Sequence, residues 1–337
     1  MDIYFLEDET VGWSTIFHVM EMIERLFGGH VETIRSPRKS LVGRAIARNR
    51  PVDRRGSSIA LFVARGPHEV GRFMQTEAFA KSRKFRAIWL IDSFWTEMLP
   101  KGSLRQFDLI CYTQAFERDF YETRFGERAL LMSIGTDALD LGRLGTERTI
   151  DLLRVGRQPS AWEDDAASAM VANELDLRFH GRPPYLEVGR PLQVDLMENW
   201  FSKSKFVLAQ TNLVDDSRYT HPSKSYITGR WTDALACGAS VAGVAPEDDI
   251  AMIDWPGALL RFPKVDLREN LAQVADAARA WSPEQAKANH LASLRHLDWR
   301  WRLRDLADRL PVDTSALDAE LDRLKARIRE LEDVRAG

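Results

Sequence analysis

Cysteine is scarce in this sequence, because the 337 residues include only two, Cys111 and Cys237. Each lies in an apolar run, which predicts buried thiols of a reducing compartment rather than a disulfide. Long hydrophobic runs are missing too, since no segment reaches the ~20 apolar residues that a membrane-spanning helix needs. The chain opens without a basic n-region, so no signal peptide is expected. These absences predict a cytoplasmic protein and leave open contact with the inner face of the cytoplasmic membrane.

The sequence also lacks an excess of charge of one sign. It has 47 Lys and Arg against 50 Asp and Glu, a formal net charge of -3, which gives no reason to expect a nucleic-acid partner. Hydrophobic residues make up 45% and charged residues 29%, as in globular proteins. The length predicts two domains, each large enough to bury its own core.

Strands and helices alternate through the first half of the chain. Residues 3–6 form a predicted strand, and a loop with Gly12 leads into an amphipathic helix at 14–27, which is how a nucleotide-type α/β domain opens. The motif G-x-G-x-x-G is missing there, so a bound dinucleotide is not indicated. Further strands are predicted at residues 31–34, 58–63, 86–91, 107–111 and 130–134.

Three titratable residues that follow predicted strands are the candidate catalytic groups: Asp8, His68 and Asp92. In a doubly wound sheet the carboxyl ends of the strands meet at one cleft, where a carboxylate or an imidazole can serve as general base. The free pKa of histidine lies near neutrality, which suits His68 to that role. Each residue also has a structural interpretation, as an acid at a helix start, a helix cap or a surface group.

The stretch from Arg218 to Val244 has the order loop, helix start, helix, glycine and strand. Thr228 can cap the helix, and Gly229 brings the backbone close to whatever occupies the loop. The first N–H groups and the positive end of the helix dipole favour an anion there, most commonly a phosphate. Gly238 supplies a left-handed exit from the helix. An ordinary helix-to-strand crossover is the alternative interpretation.

This stretch resembles the donor-binding segment of GT-B glycosyltransferases, in which a helix reads roughly E-A-M-A-C-G-x-P-V-V. Residues 233–242 read D-A-L-A-C-G-A-S-V-A. Three further features stand in the family order. They are Gly135-Thr136-Asp137, similar to the family's interdomain segment, Gly156-Arg157 after a predicted strand at 150–155, and Gly181 in the turn that approaches the nucleobase.

The resemblance implies an α/β protein of the GT-B class, with two Rossmann-like, doubly wound domains facing a cleft. Residues 1–145 would form the acceptor domain and residues 146–282 the nucleotide-sugar donor domain. Residues 283–310 would form cross-over helices, predicted from a long helical pattern. A heptad helix would follow at 314–335.

The heptad pattern is carried by apolar residues at spacings of four and three: Leu317, Leu321, Leu324, Ile328 and Leu331. It covers little more than two heptads, too few to associate strongly alone. Either the helix pairs with a partner in a coiled-coil oligomer, or it lies back on the body as an amphipathic helix. Before it, Trp299 and Trp301 are interpreted as packing residues rather than as a membrane anchor.

The resemblance also assigns roles around the donor. Gly156 and Arg157 would bind its diphosphate, since a guanidinium pairs with two phosphate oxygens at once. The family's nearby lysine is absent, and Lys224 or Arg230 would supply its charge beside Gly229. No D-x-D motif follows a predicted strand, so metal-independent chemistry is expected.

Asp233 would hold the ribose of the donor. The first glutamate of the family's Glu-x7-Glu signature corresponds to Ser225, so its role is unassigned. If the reaction inverts the anomeric centre, Asp92, His68 or Asp8 would act as base. If it retains that centre, the family precedent requires no base.

The implied activity is transfer of a sugar from a nucleotide-sugar, a substrate rather than a cofactor, to a hydroxyl of a glycan or lipid-linked acceptor. The implied setting is surface polysaccharide or lipopolysaccharide biosynthesis. Two other functions share the fold: a nucleotide-sugar 2-epimerase, and a non-catalytic scaffold subunit of a polysaccharide-assembly complex. The arginines and lysines of residues 36–55 form either a patch for anionic lipid or polysaccharide, or a solvated helix face.

Overall fold

The computed structural model describes residues 1–7, 13–35, 59–81, 84–99, 102–145, 147–156, 158–184, 192–214 and 220–336. The chain divides into two compact units. The first comprises Met1–Ser133 and Arg302–Ala319, and the second comprises Ile134–Trp301 and Glu320–Gly337. The division after Ser133 precedes the boundary expected at residue 145, and a segment from near the end of the chain belongs to the first unit.

Among the described residues, the first unit contains a six-stranded parallel sheet in the order β2-β1-β3-β4-β5-β6. Its strands are β1 Asp2–Leu6, β2 His30–Ile34, β3 Ile59–Ala64, β4 Phe85–Leu90, β5 Leu109–Tyr112 and β6 Ala129–Leu131. All six lie where the sequence predicted strands. Strands β3 to β5 are nearly continuous apolar runs because both faces of a parallel sheet are covered.

The helices of this unit pack its core. They are α1 Ser14–Phe27, α2 Val70–Phe73, α3 Glu77–Lys81 and α4 Arg118–Phe125. Helix α1 has the predicted bounds and ends at Gly28, whose φ of 62° is left-handed. Phe62 in the middle of β3 contacts the rings of Phe73, Phe79 and Phe107, which places the aromatic core on one face of the sheet.

The second unit contains, within its described residues, a five-stranded parallel sheet in the order β11-β10-β9-β7-β8. Its strands are β7 Ile150–Arg154, β8 Phe179–His180, β9 Ser204–Leu208, β10 Ser240–Gly243 and β11 Leu259–Arg261. Strand β8 lies on one side of β7 and strand β9 on the other. The strand order therefore reverses between β7 and β9, and open α/β sheets bind ligands at such a switch point.

The helices of the second half are α5 Asp165–Glu174, α6 Leu192–Asp195, α7 Gly229–Ala236, α8 Leu267–Ala280, α9 Pro283–His296, α10 Trp299–Ala307 and α11 Ser315–Ala336. The helix predicted at 192–202 continues from α6 as a π-helical stretch, Leu196–Trp200, and a 3₁₀ turn, Phe201–Lys203. Helix α7 leaves through Gly238 at φ 78°, as predicted.

The cross-over helices predicted at 283–310 are two, α9 and α10, because the chain leaves the helical conformation between them. Thr136 donates its N–H to the Leu297 carbonyl (2.9 Å), and Trp299 donates to the Thr136 carbonyl (2.9 Å). Asp298 stands between them and is fully buried. Backbone pairing with Thr136 therefore replaces helical hydrogen bonds at this point.

The fully buried guanidinium of Arg300 connects the segment between α9 and α10 to other parts of the second unit through ion pairs. Arg300 lies 2.8 Å from Asp137, 3.1 Å from Asp298 and 2.8 Å from Glu320, and it also pairs with Asp140. We call these five residues the Arg300 cluster. Asp137 and Asp298 are also almost wholly shielded from solvent, so Arg300 compensates carboxylates that water cannot reach.

Helix α11 carries the predicted heptad residues. Leu317, Leu321 and Leu324 are buried within this chain, whereas Ile328 and Leu331 are half-buried. Burial within one chain is what the amphipathic-helix alternative predicts, and association through residues 314–335 stays a prediction. Among the described residues, no helix combines the length and hydrophobicity needed to cross a bilayer.

Both cysteines are buried free thiols, as the sequence predicted. Burial raises the pKa of Cys111 and that of Cys237 to about 12 in each case. Trp299 is fully buried and Trp301 half-buried, which agrees with their interpretation as packing residues.

Candidate functional site

Two of the three catalytic candidates flank Gly66 at the carboxyl edge of the first sheet. His68 follows β3 and is exposed, whereas Asp92 follows β4 and is half-buried. A Cβ on residue 66 would lie 3.1 Å from His68 Nδ1 and 3.7 Å from the Asp92 carbonyl oxygen. The third candidate, Asp8, lies outside the described residues. The structure therefore brings His68 and Asp92 to one place, and their catalytic roles stay predictions.

Asp92 has an unusual titration for a carboxylic acid. Burial, and then the negative charge of Glu69, raise the pKa of Asp92 to about 7. Glu69 is itself buried and accepts hydrogen bonds from the Arg65 backbone N–H (2.9 Å) and Nε (2.8 Å). A carboxyl with a pKa near neutrality is suited to take up and release a proton in catalysis.

Asp92→Asn is expected to stabilise the protein at pH 8 by roughly 2–4 kcal/mol and to change little at pH 4. The folded pKa lies above the unfolded value of 3.8, so the folded state retains a proton that the unfolded state has lost. Wild-type stability therefore falls as pH rises from about 4 through about 7. Melting temperatures at the two pH values test this, with exposed Asp119→Asn as control. An equal shift at both pH values would contradict it.

The second unit has a cavity of about 490 Å³ at the switch point of its sheet. It lies at the carboxyl ends of β7, β8 and β9, with the start of α7 beside it. Its lining residues are Gln158, Pro159, Glu163, Arg182, Gln210, Thr211, Asn212, Val214, Thr220, Tyr226, Thr228 and Arg230. The volume is in the range of small-ligand sites.

Gly156, two residues after the end of β7, leaves space for the side chain of Arg230 from the first turn of α7. Its φ is 64°, a left-handed conformation that side chains disfavour. A Cβ on residue 156 would lie 2.5 Å from Arg230 Nη2 and 2.9 Å from its Cζ. The guanidinium thus occupies the space that a side chain would fill, and it faces the cavity. Two donor-binding candidates far apart in the sequence meet here, while Arg157 lies outside the described residues.

Helix α7 begins at Gly229 with Thr228 as its N-cap residue, as predicted, although the capping is not made by the Thr228 side chain. Thr228 has the extended N-cap conformation, yet its side chain makes no capping hydrogen bond to a described residue and instead lines the cavity. Thr232 donates its hydroxyl to the carbonyls of Gly229 (3.1 Å) and Gly135 (3.0 Å). The helix start is therefore held from within the unit by Thr232.

Asp233 and Lys224 are not among the described residues that line the cavity. Asp233 is buried at 4% exposure and accepts a hydrogen bond from Gln193 Nε2 (3.0 Å). The Lys224 carbonyl accepts from Asn212 Nδ2 (2.9 Å). Ser225 donates its N–H (3.0 Å) and hydroxyl (2.8 Å) to Asp248. The ribose role of Asp233 and the phosphate role of Lys224 remain predictions.

Sequence reasoning missed an ionic network below the cavity. Buried Arg154 pairs with Glu163 (2.6 Å) and Asp165 (3.4 Å), and Glu163 also pairs with Arg182 (3.2 Å). Gly181 makes room for the network, because a Cβ there would lie 2.6 Å from the Asp165 carboxyl carbon. The signal in the sequence was only charged residues in the two loops after β7 and β8.

Sequence reasoning also missed a row of neutral polar residues at the cavity. Gln158 Oε1, Gln210 Nε2, Thr211 Oγ1 and Asn212 Oδ1 are buried atoms without a hydrogen-bond partner among the described residues. An unmet buried hydrogen bond costs about 1–3 kcal/mol, so such atoms usually await water or a ligand. The signal in the sequence was three consecutive polar residues, Gln210, Thr211 and Asn212, one residue beyond the end of β9.

Among the described residues, no three or more His, Cys, Asp or Glu side chains are grouped so that they could bind a metal ion. The expectation of a metal-independent reaction therefore stays a prediction.

No family model matches this sequence, and no curated protein matches it significantly. Solved structures do match. Anabaena HepE in complex with UDP and glucose is 11% identical, with 91% of this chain and 98% of that chain covered, at a TM-score of 0.54.

Two other solved structures match over similar lengths. A glycosyltransferase from Rickettsia africae is 11% identical over 91% of this chain and 97% of its own, at a TM-score of 0.50. Sucrose-phosphate synthase from Thermosynechococcus elongatus is 9% identical over 91% and 98%, also at 0.50. At such identities the likeness shows the fold. The chain has the GT-B fold, which confirms the fold class predicted from the resemblance.

Proposed function

We propose that this GT-B chain is a glycosyltransferase that binds a nucleotide-sugar in the cavity of its second unit and transfers the sugar to an acceptor hydroxyl. The observation that carries the proposal is the fit of Arg230 against Gly156 at the switch point. A guanidinium and a helix start at the carboxyl edge of an α/β sheet are suited to a phosphate group.

The comparison supports the same ligand class. HepE, which shares the fold, is recorded in complexes with UDP, with UDP and glucose, and with UDP-glucose. The unpaired polar atoms of Gln158, Gln210, Thr211 and Asn212 add hydrogen-bonding capacity for an uncharged polar group. Together these features support a ligand with both anionic and neutral polar parts.

The proposed chemistry stabilises the leaving group. Arg230 and Arg157 would neutralise the negative charge that develops on the departing nucleoside diphosphate. Asp233 would hold the ribose, as the resemblance implies. Asp92, with its pKa of about 7, or His68 would remove the acceptor proton if the reaction inverts the anomeric centre. The acceptor would be a glycan or a lipid-linked glycan of a surface polysaccharide or lipopolysaccharide, reached at the cytoplasmic face of the membrane.

Thermal-shift screening against UDP, GDP, CMP and ADP and their common sugars tests the donor site. A ligand present at a hundred times its dissociation constant stabilises the folded state by about 2.7 kcal/mol. We expect one nucleotide to raise the melting temperature of the wild type, and Arg230→Gln to abolish that shift. Arg143→Gln is the matched control, since Arg143 is 56% exposed and pairs with Glu198.

The products of turnover distinguish the three functions. A glycosylated acceptor and a free nucleoside diphosphate support the transferase. An epimerised nucleotide-sugar without acceptor supports the epimerase, and binding without turnover supports the scaffold. If no nucleotide raises the melting temperature, the proposed donor site is wrong.

A further inference from the structure

We infer that Thr211 binds a hydroxyl group of the donor, in a subsite for a hydroxyl-bearing ring that it forms with three carboxamide side chains. The ring is either the ribose of the nucleotide or the sugar to be transferred. The inference rests on the proposed function, since it concerns the same cavity. The four residues that line the cavity here are Gln158, in the loop after β7, and Gln210, Thr211 and Asn212, in the loop after β9.

The Gln158 side chain is almost wholly buried, and its orientation is fixed. Its Nε2 donates to the carbonyls of Val155 (2.9 Å), directly after β7, and Leu208 (3.2 Å), at the end of β9. A carbonyl only accepts, so the nitrogen of the carboxamide has to face these two residues. Gln158 Oε1 is therefore left as a buried acceptor without a hydrogen-bond partner among the described residues.

The other two carboxamides are oriented in the same way. Gln210 Oε1 accepts from the Val244 N–H (2.7 Å), which leaves Nε2 as a donor. Asn212 Nδ2 donates to the carbonyls of His221 (3.2 Å) and Lys224 (2.9 Å), which leaves Oδ1 as an acceptor. Neither carboxamide can turn over without losing its bonds to the backbone. The cavity therefore presents two acceptors and one donor whose identities are fixed by the fold.

Thr211 adds a hydroxyl group, which can both donate and accept. Its side chain is 7% exposed, and Oγ1 is buried without a hydrogen-bond partner within the described part of the chain. The Thr211 backbone N–H donates to the Val244 carbonyl (2.8 Å), so the backbone holds the residue in place. Unmet buried polar atoms destabilise a folded protein, and four of them at one cavity indicate a polar ligand.

The chemistry of these four atoms favours hydroxyl groups. The oxygens of Gln158 and Asn212 require two donor hydrogens from the ligand, whereas Gln210 Nε2 requires an acceptor. A hydroxyl group donates and accepts at once, so a ring that carries several of them can satisfy the whole set. A uracil base, with its single N–H, would leave one of the two acceptors unmet.

The position of the subsite agrees with this chemistry. Gln158 lies two residues after Gly156, the residue against which the Arg230 guanidinium packs, and Arg230 lines the same cavity. Arg230 is the proposed phosphate ligand. In a nucleotide-sugar the diphosphate is bonded to ribose at one end and to the transferred sugar at the other. A group next to the phosphates therefore carries hydroxyls at either end.

Calorimetric titration of wild type and Thr211→Val tests the inference. The ligands are UDP-glucose, UDP and 2′,3′-dideoxy-UDP in one series, and GDP-mannose, GDP and 2′,3′-dideoxy-GDP in the other. Valine has the shape of threonine without its hydroxyl. A ligand hydroxyl left without its partner predicts an affinity at least about 5-fold weaker. Because Thr211 Oγ1 has no partner among the described residues, the melting temperature of the unliganded variant should not fall.

Thr136→Val is the matched control. Thr136 is fully buried in the same unit, and its Oγ1 likewise has no hydrogen-bond partner among the described residues. It is not one of the described residues that line the cavity, so this variant should bind every ligand as the wild type does. Thr211→Ser, which keeps a hydroxyl, should bind close to the wild type.

The comparison within each series identifies the ring. If Thr211→Val weakens binding of the nucleotide-sugar but not of the nucleotide, the transferred sugar occupies the subsite. If it weakens binding of the nucleotide but not of its dideoxy analogue, the ribose does.

The remaining outcomes separate this inference from the proposed function. If the wild type binds neither series, the proposed function fails. If the wild type binds and Thr211→Val binds equally well, only the role of Thr211 is overturned. Equal loss for all three ligands of a series, or an equal loss in Thr136→Val, would overturn that role as well.

Discussion

Arg300→Met will destabilise the protein by about 3–5 kcal/mol at neutral pH, because it leaves buried carboxylates without their cation. Arg300 is fully buried, and two of its partners, Asp137 and Asp298, are 2% exposed and fully buried. Methionine fills a similar volume, so the loss measures charge rather than a cavity. The destabilisation should appear as a lower melting temperature.

The effect should depend on pH in a defined direction. Burial, opposed by Arg300, raises the pKa of Asp298 above its usual range. The folded pKa exceeds the unfolded value, so the stability from proton uptake is full at acid pH and is lost as pH rises through the folded pKa. Without Arg300 the pKa of Asp298 rises further. The deficit of the variant should therefore shrink as pH falls and be larger near pH 8 than near pH 5.

Arg323→Met is the matched control for this experiment. Arg323 pairs with Asp140 (2.9 Å) and Glu320 (2.6 Å), two members of the Arg300 cluster, but its side chain is 55% exposed. Exposed ion pairs contribute about 0–1 kcal/mol, so this variant should melt close to the wild type at both pH values. Similar melting temperatures for both variants would show that the cluster does not depend on its buried charge.

Gly156→Ala is expected to weaken nucleotide binding by at least tenfold, on the order of one charge-assisted hydrogen bond. The added methyl group would lie 2.5 Å from Arg230 Nη2, a distance at which the guanidinium must move. The left-handed backbone at this position adds a cost of roughly 1–2 kcal/mol for any side chain. Stability and binding should therefore both fall.

Gly28→Ala separates these two effects. Gly28 has a φ of 62°, close to the 64° of Gly156, but a Cβ there would have no atom within 4 Å. We expect Gly28→Ala to lower the melting temperature by a similar amount and to leave nucleotide affinity unchanged. Equal nucleotide affinities in Gly28→Ala and Gly156→Ala would show that the position of Arg230 against Gly156 is not needed for binding.

Most of the fold followed from local patterns in the sequence. Strands β3, β4 and β9 are apolar runs that any parallel sheet buries, and helix α1 has both a clear periodicity and a terminal glycine. The break between α9 and α10 was not predictable in this way. It depends on Thr136, a residue distant in sequence, which competes for the backbone hydrogen bonds.

The sequence predicted only those parts of the candidate site that belong to a single short motif. Gly156 and the start of α7 stood out because glycine and a helix start are local signals. The roles of Glu163 and Arg182 depend on how the turn after β8 meets the loop after β7, which is a matter of tertiary register. Asp233 stood in the expected motif, yet its burial and its bond to Gln193 depend on packing that the motif does not encode.

The first unit consists of two separate segments of the chain, and this sets an order of events during synthesis. Its chain leaves at Ser133 and returns only at Arg302, so the last piece of the unit is made after nearly all of the second. At roughly 5–20 residues per second, the intervening segment takes on the order of ten seconds or longer to translate. All six strands of the sheet lie in Met1–Ser133 and are made before that interval, so the unit lacks only Arg302–Ala319 while the interval lasts. A product that ends before residue 302 would have the complete sheet but would lack the buried side chains of Leu303, Leu306 and Leu310.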